Sequence, residues 1–162
     1  MSDAYTTVMV SGGFDPIHAG HIRYIRAAAE HGDVIVIANS DEWLFRKKGF
    51  VFMDFNARAE ILQSIKGVTV VDSVDDADGT VCEAIRRHKP TYFANGGDRG
   101  RSNTPEQSVC EELGVQMLWS TGGDEKVDSS SDLVKRTTAR KKRQREKEEK
   151  SPRRYTGKIS ER

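Results

Sequence analysis

Thr7-Val8-Met9-Val10-Ser11-Gly12-Gly13-Phe14-Asp15-Pro16-Ile17-His18-Ala19-Gly20-His21 is the stretch from which the rest of the chain is best read. It opens as a β-branched run, breaks at a glycine pair and a proline, and is followed by Ile22, Ile25, Ala28 and Ala29 at helical spacing. The expectation is strand, tight turn, helix. Gly12 and Gly13 let the backbone approach a bound phosphate closely. The first turn of the following helix offers it unpaired N–H groups and a partial positive charge. His18 and His21 are three residues apart, so in a first helical turn their rings share one face and both can donate to phosphate oxygens.

The same alternation continues downstream. His31-Gly32 closes the first helix, Asp33–Ala38 reads as a second buried strand, and Ser40-Asp41 caps a short helix through Phe45. Asn56–Ile65 reads as a helix with Ala57, Ile61 and Leu62 inward, and Val68–Val71 as a strand. Thr80–His88 reads as a helix and Thr91–Ala94 as a strand entering Gly96-Gly97-Asp98. Thr104-Pro105-Glu106 has the cap, first-turn proline and acid of a helix that stops at Gly114, before a fifth strand at Val115–Trp119. Alternating apolar strands and helices predict an α/β fold, a doubly wound, Rossmann-like five-stranded parallel sheet covered on both faces. In such a sheet the ligand crevice lies at the carboxyl ends of the strands where their order reverses, and the loop after the first strand commonly faces it.

Charge divides the chain unevenly. From Val134 to Arg162 there are 13 Lys+Arg and 4 Glu, a net of +9, whereas the preceding residues hold 13 basic and 21 acidic ones, a net of −8. Residues 1–136 are therefore read as one domain and 137–162 as a basic, charged C-terminal tail, either a solvated helix or disordered. Ser129-Ser130-Ser131-Asp132 forms a capping box ahead of it. No segment has the apolar length of a membrane span, and the N-terminus lacks the features of a signal peptide, so a cytoplasmic protein is expected. Cys82 and Cys110 have no partner at zinc-ligand spacing and read as reduced structural thiols.

The segment from Gly12 to His21 resembles the signature G-x-F-D-x-x-H-x-G-H of the nucleotidyltransferase superfamily. That superfamily contains glycerol-3-phosphate cytidylyltransferases, heptose-phosphate adenylyltransferases and pantetheine-phosphate or nicotinamide-mononucleotide adenylyltransferases. Gly12, Phe14, Asp15, His18, Gly20 and His21 all match. The resemblance implies that His18 and His21 bind the triphosphate of CTP or ATP and stabilise attack on the α-phosphorus by a phosphorylated small-molecule acceptor, CTP being slightly preferred. Asp15 is expected to be a scaffold that accepts backbone hydrogen bonds in the turn rather than a metal ligand.

Lys48, with Lys47 as its alternative, and Arg58 resemble the lysine that bridges the phosphates of the two substrates and the arginine that contacts the nucleotide or the transferring phosphate. Gly96, Gly97 and Asp98 resemble the nucleotide-side loop. Ser129, Ser130 and Ser131 resemble the second signature, which holds the β- and γ-phosphates. Asn95 stands where heptose-phosphate adenylyltransferases commonly have lysine, and Asp124 where cytidylyltransferases have arginine, with Lys126 a candidate substitute. Mg2+ is expected on the triphosphate, since no dedicated carboxylate cluster is visible. A homodimer is expected by analogy with relatives. The competing reading is a nucleotide-fold binding protein whose basic run Arg140–Arg145 contacts nucleic acid; without an aromatic for base stacking, that contact is the less favoured role for the tail.

Overall fold

The computed structural model describes residues 5–96, 104–123 and 129–150. The elements run β1 (Thr7–Gly12), α1 (Ala19–Ala29), β2 (Asp33–Ala38), α2 (Asp41–Lys48), α3 (Phe55–Gln63) and β3 (Val68–Asp72). They continue as α4 (Cys82–His88), β4 (Tyr92–Gly96), α5 (Pro105–Leu113), β5 (Gln116–Thr121) and α6 (Ser130–Lys150). The strands form one parallel sheet in the order β3-β2-β1-β4-β5. The order reverses between β1 and β4, which sets the crevice beside the end of β1.

Successive residues of a strand point to opposite faces, so both faces of this sheet carry a core. Val8 and Val10 of β1 join Val34, Val36, Ile25, Ala28 and Leu62 in one cluster. Met9 between them joins Ile35, Ile37, Ala84, Ile85, Val109 and Cys110 in the other. Helices α1 and α3 thus cover one face and α4 and α5 the other, as the continuous apolar strands require.

Strand β3 departs from that expectation, because Thr69 and Val70 are exposed. It is the edge of the sheet and is covered less completely than the inner strands. Ile61, expected inward, is exposed, while Arg58 takes a buried position on its helix.

Two helix boundaries matter for the site. Ser40 caps α2 by accepting from the N–H of Trp43 at 3.0 Å. Asp41 and Glu42 in its first turn and Arg46, Lys47 and Lys48 in its last complement the helix dipole. The helix therefore runs beyond Phe45 and ends at Gly49, whose φ of 79° is the left-handed turn that glycine tolerates. At α5, Thr104 caps, Pro105 opens and Gly114 stops the helix, as read from the sequence.

The chain divides into two compact units, Met1–Ser130 and Ser131–Arg162. In the second, α6 extends to Lys150 as a helix with no buried residue. Among the described residues no helix is long and apolar enough to cross a membrane.

Candidate active site

Residues 13–18 leave the end of β1 and lead into α1. Phe14 adopts a positive φ of 52° with its ring fully buried, and its edge meets the ring of His21 at a centroid distance of 5.0 Å. A side chain at Gly13 has no room, since a Cβ there would lie 2.8 Å from Cδ2 of Leu44. The glycine is thus also a packing requirement of α2 against the loop.

His18 is the N-cap of α1 and His21 its third residue, and together they make a capping box from two imidazoles. Nδ1 of His18 accepts from the N–H of Gly20 at 3.1 Å, and Nδ1 of His21 accepts from the N–H of His18 at 3.2 Å. The rings stack at 3.8 Å between centroids with 24° between planes. A nitrogen that accepts from a backbone N–H carries no proton, so in each neutral ring the proton sits on Nε2. The backbone therefore sets both tautomers. Burial pushes the His21 imidazole down to about 3, reinforced by the neighbouring charges of His18 and Lys48. His21 is consequently a neutral hydrogen-bond donor throughout the physiological range.

Asp15 is buried, and its carboxylate accepts from the N–H groups of Phe52 at 2.8 Å and Met53 at 2.6 Å and pairs with Nζ of Lys48 at 3.3 Å. It does accept backbone bonds, but from the α2–α3 connection rather than from its own turn. Lys48 also donates to the carbonyl of Asp15, tying the end of α2 to the loop. Lys47 instead lies over the Trp43 ring at 4.6 Å. Of the two lysines, Lys48 is the one directed at the loop.

The expected direct contact of Arg58 with nucleotide does not fit its placement. Its side chain is wholly buried, and Nη1 donates to the carbonyls of Gly13 at 2.9 Å and Asn39 at 2.8 Å. Nε donates to the carbonyl of Met53 at 3.1 Å, and Nη2 pairs with Asp41 at 2.7 Å. Four residues from three chain segments thus meet on one guanidinium, a use of its rigid planar fork that an ammonium could not replace. Arg58 positions the walls of the site.

A second knot went unread in the sequence. Asp76 is buried and accepts from Nδ2 of Asn39 at 3.1 Å, the N–H of Ser40 at 2.9 Å and the hydroxyl of Ser40 at 2.6 Å. Its own carbonyl accepts from Arg46 at 2.9 Å. Asp76 fixes the start of α2, and so indirectly the position of Lys48. Asn39, directly after a buried strand at the site edge of the sheet, was the available signal; nothing in the acidic run 72–78 singles out Asp76.

Ser130 donates its hydroxyl to the carbonyl of Pro16 at 2.8 Å and so reaches the histidine loop, and Ser129 beside it is half-buried. Gly96 ends β4 on the same edge of the sheet, and Tyr24 of α1 donates to the Ala94 carbonyl of that strand. Asn95 is 5% exposed, and its Nδ2 finds no partner among the described residues. Gly97, Asp98, Asp124 and Lys126 lie outside the described residues. Ser131 begins the second unit.

A loop of this sequence, carrying two backbone-oriented imidazoles at the switch point of a parallel sheet, agrees with the family comparison: residues 9–137 match the cytidylyltransferase-like family model. The chain belongs to the cytidylyltransferase-like family. The fold read from its sequence is the fold of its relatives.

Among curated relatives of this cytidylyltransferase-like chain, a bifunctional protein HldE of Actinobacillus pleuropneumoniae is 34% identical over 143 residues, 83% of this chain. The match spans only 28% of that longer protein. An FAD synthase of Pyrococcus horikoshii is 39% identical over 115 residues, covering 69% of this chain and 72% of the synthase. The crystal structure of a lipopolysaccharide core biosynthesis protein from Thermoplasma volcanium is similar with a TM-score of 0.59 at 26% identity. It is matched over 70% of this chain and 93% of its own.

Proposed function

We propose that this chain is a nucleotidyltransferase that moves a nucleoside monophosphate from a magnesium-bound nucleoside triphosphate to the phosphate of a small molecule such as a sugar or polyol phosphate. An oxygen of the acceptor phosphate attacks the α-phosphorus, the bond to the α–β bridging oxygen breaks, and pyrophosphate leaves. The supporting observation is the histidine pair. Both Nδ1 atoms are held by backbone N–H groups, so both Nε2–H groups are pre-set as donors for the charge that develops on phosphate oxygens. Such transfer needs no covalent nucleophile from the protein.

Lys48 brings the nearby positive charge and bridges the phosphates of the two substrates, leaving its Asp15 contacts for them as they bind. Gly12, Gly13 and Gly20 keep the loop close to the phosphates. Ser129 and Ser130 hold the leaving pyrophosphate, and Gly96 borders the nucleotide. Arg58 acts through the backbone it holds. Magnesium arrives with the triphosphate as part of the substrate. Asp15, the carboxylate of the loop, is already engaged by two N–H groups and Lys48, and among the described residues no three metal-binding side chains converge.

ATP is the proposed donor in place of CTP. The relative named FAD synthase makes a product containing an adenylate, and it is 39% identical over 69% of this chain. A pyrophosphate-release assay crossing ATP, CTP, GTP and UTP with sugar, polyol and amino-alcohol phosphates tests both halves of the reading. Release with ATP and one acceptor class supports it. Release only with CTP overturns the donor, and no release with any pair overturns the reaction.

A further inference from the structure

From Lys135 to Lys150 helix α6 is exposed at every residue, and Ala139 is its sole apolar side chain there. Its charges are not mixed evenly around it. At about 100° per residue, Arg140, Arg143, Lys147 and Lys150 fall within an arc of about 80° and follow one line for about 15 Å. Glu146, Glu148 and Glu149 all lie off that line, on the side that also carries Lys141, Lys142 and Arg145. From Arg140 to Lys150 one side of the helix therefore holds four cations, while the other holds three cations balanced by three anions.

The pairs that would neutralise the line are not made. Among the described residues none of these four side chains pairs with a carboxylate, and Glu148 accepts instead from Gln144 at 3.2 Å. Lacking an apolar stripe, the helix has nothing to insert into a bilayer or to seal a coiled coil. Lacking an aromatic, it cannot stack on unpaired bases. What remains complementary to it is a rigid, regularly spaced row of anions.

We infer that α6 lies against the phosphate backbone of a double-stranded nucleic acid along Arg140, Arg143, Lys147 and Lys150, without reading its sequence. The contact is independent of the transferase reaction, because none of these four residues belongs to the nucleotide site.

Binding of the full-length chain to a 30-base-pair DNA duplex, followed by fluorescence anisotropy from 50 to 200 mM salt, tests this. Four phosphate contacts predict a slope of log affinity against log salt of about −3.6, or about a 150-fold loss over that range. Arg140→Gln, Arg143→Gln and Lys147→Gln together reduce the slope to about −0.9. Lys141→Gln, Lys142→Gln and Arg145→Gln together remove the same charge from the other side and leave the slope nearly unchanged. Pyrophosphate release stays at the wild-type rate in both triple variants.

Equal loss in the two triple variants would reduce the stripe to net charge alone and sink the proposal. No duplex binding at 50 mM salt does the same, whether or not the chain binds phosphatidylserine vesicles or self-associates in a salt-sensitive way. A shallower slope with preference for a single strand of the same sequence overturns the duplex assignment.

Discussion

The knot around Arg58 and the outer stripe of α6 are both built on cations, and they use them in opposite ways. Arg58 is wholly buried, with donors placed on three carbonyls and a carboxylate. Arg140, Arg143, Lys147 and Lys150 are exposed and pair with no acid among the described residues. A buried charge is tolerated only when its donors are satisfied, so a saturated cation has nothing left for a ligand and serves as architecture. An unpaired exposed one costs the fold nothing and remains available to a partner. The histidines fall between these cases, with one nitrogen of each ring spent on the backbone and the other carrying the proton.

The sharpest test of this contrast is Arg58→Ala. It leaves Asp41 and three carbonyls without their donor and should cost about 3–5 kcal/mol of stability, read from urea unfolding. Arg58→Lys should recover only a minor part, because an ammonium cannot reach all four partner groups. Retained stability in the alanine variant would break the distinction.

His18→Ala and His21→Ala should each lower turnover about 10²–10³-fold, the scale of losing one pre-set donor to a developing oxyanion, while the circular dichroism of the fold persists. Near-wild-type turnover in both would remove the histidines from the mechanism. Gly13→Ala should cost about 1–3 kcal/mol in the same unfolding assay, because the new methyl meets Leu44 at 2.8 Å. An unchanged unfolding midpoint would mean that α2 moves aside freely.

The pH dependence of stability has a definite sign. In the unfolded chain the His21 imidazole takes up its proton near 6.5, in the folded chain only near 3, so between these values the unfolded state binds more protons. The contribution is fully present above pH 6.5 and declines as pH falls toward 3, by at most about 1.4 kcal/mol per pH unit. Comparing urea midpoints at pH 7, 5.5 and 4.5 should show a smaller decline in His21→Gln than in wild type; equal declines would mean that His21 titrates normally. The smallest effect belongs to the stripe, where Arg143→Gln should shift unfolding by less than about 0.5 kcal/mol. A larger shift would show that the stripe serves the fold after all.

The elements of the sheet were legible because each strand is an apolar run and most helices carry their stops. Thr104-Pro105 with Gly114, and Ser40 at the start of α2, mark ends whose local chemistry suffices. The end of α2 was less legible. The sequence reading ends that helix at Phe45, although the favourable placement of Arg46, Lys47 and Lys48 at its C-terminus extends it through them. Arg58 could not be seen as buried, because the groups that satisfy it come from positions 13, 39, 41 and 53. Asp76 was hidden for the same reason, one acid in an acidic run until Asn39 and Ser40 are brought to it.

The sequence by itself determined the alternation of strands and helices, the glycine loop with its histidine pair, and the separation of an acidic body from a basic tail. These depend on near neighbours along the chain. Only the tertiary structure decided which polar residues face inward as architecture, that Asp15 clamps the α2–α3 connection, and that Ser130 reaches Pro16 across 114 positions of sequence. A buried polar group is defined by its partners, and those partners meet only when the sheet closes around them.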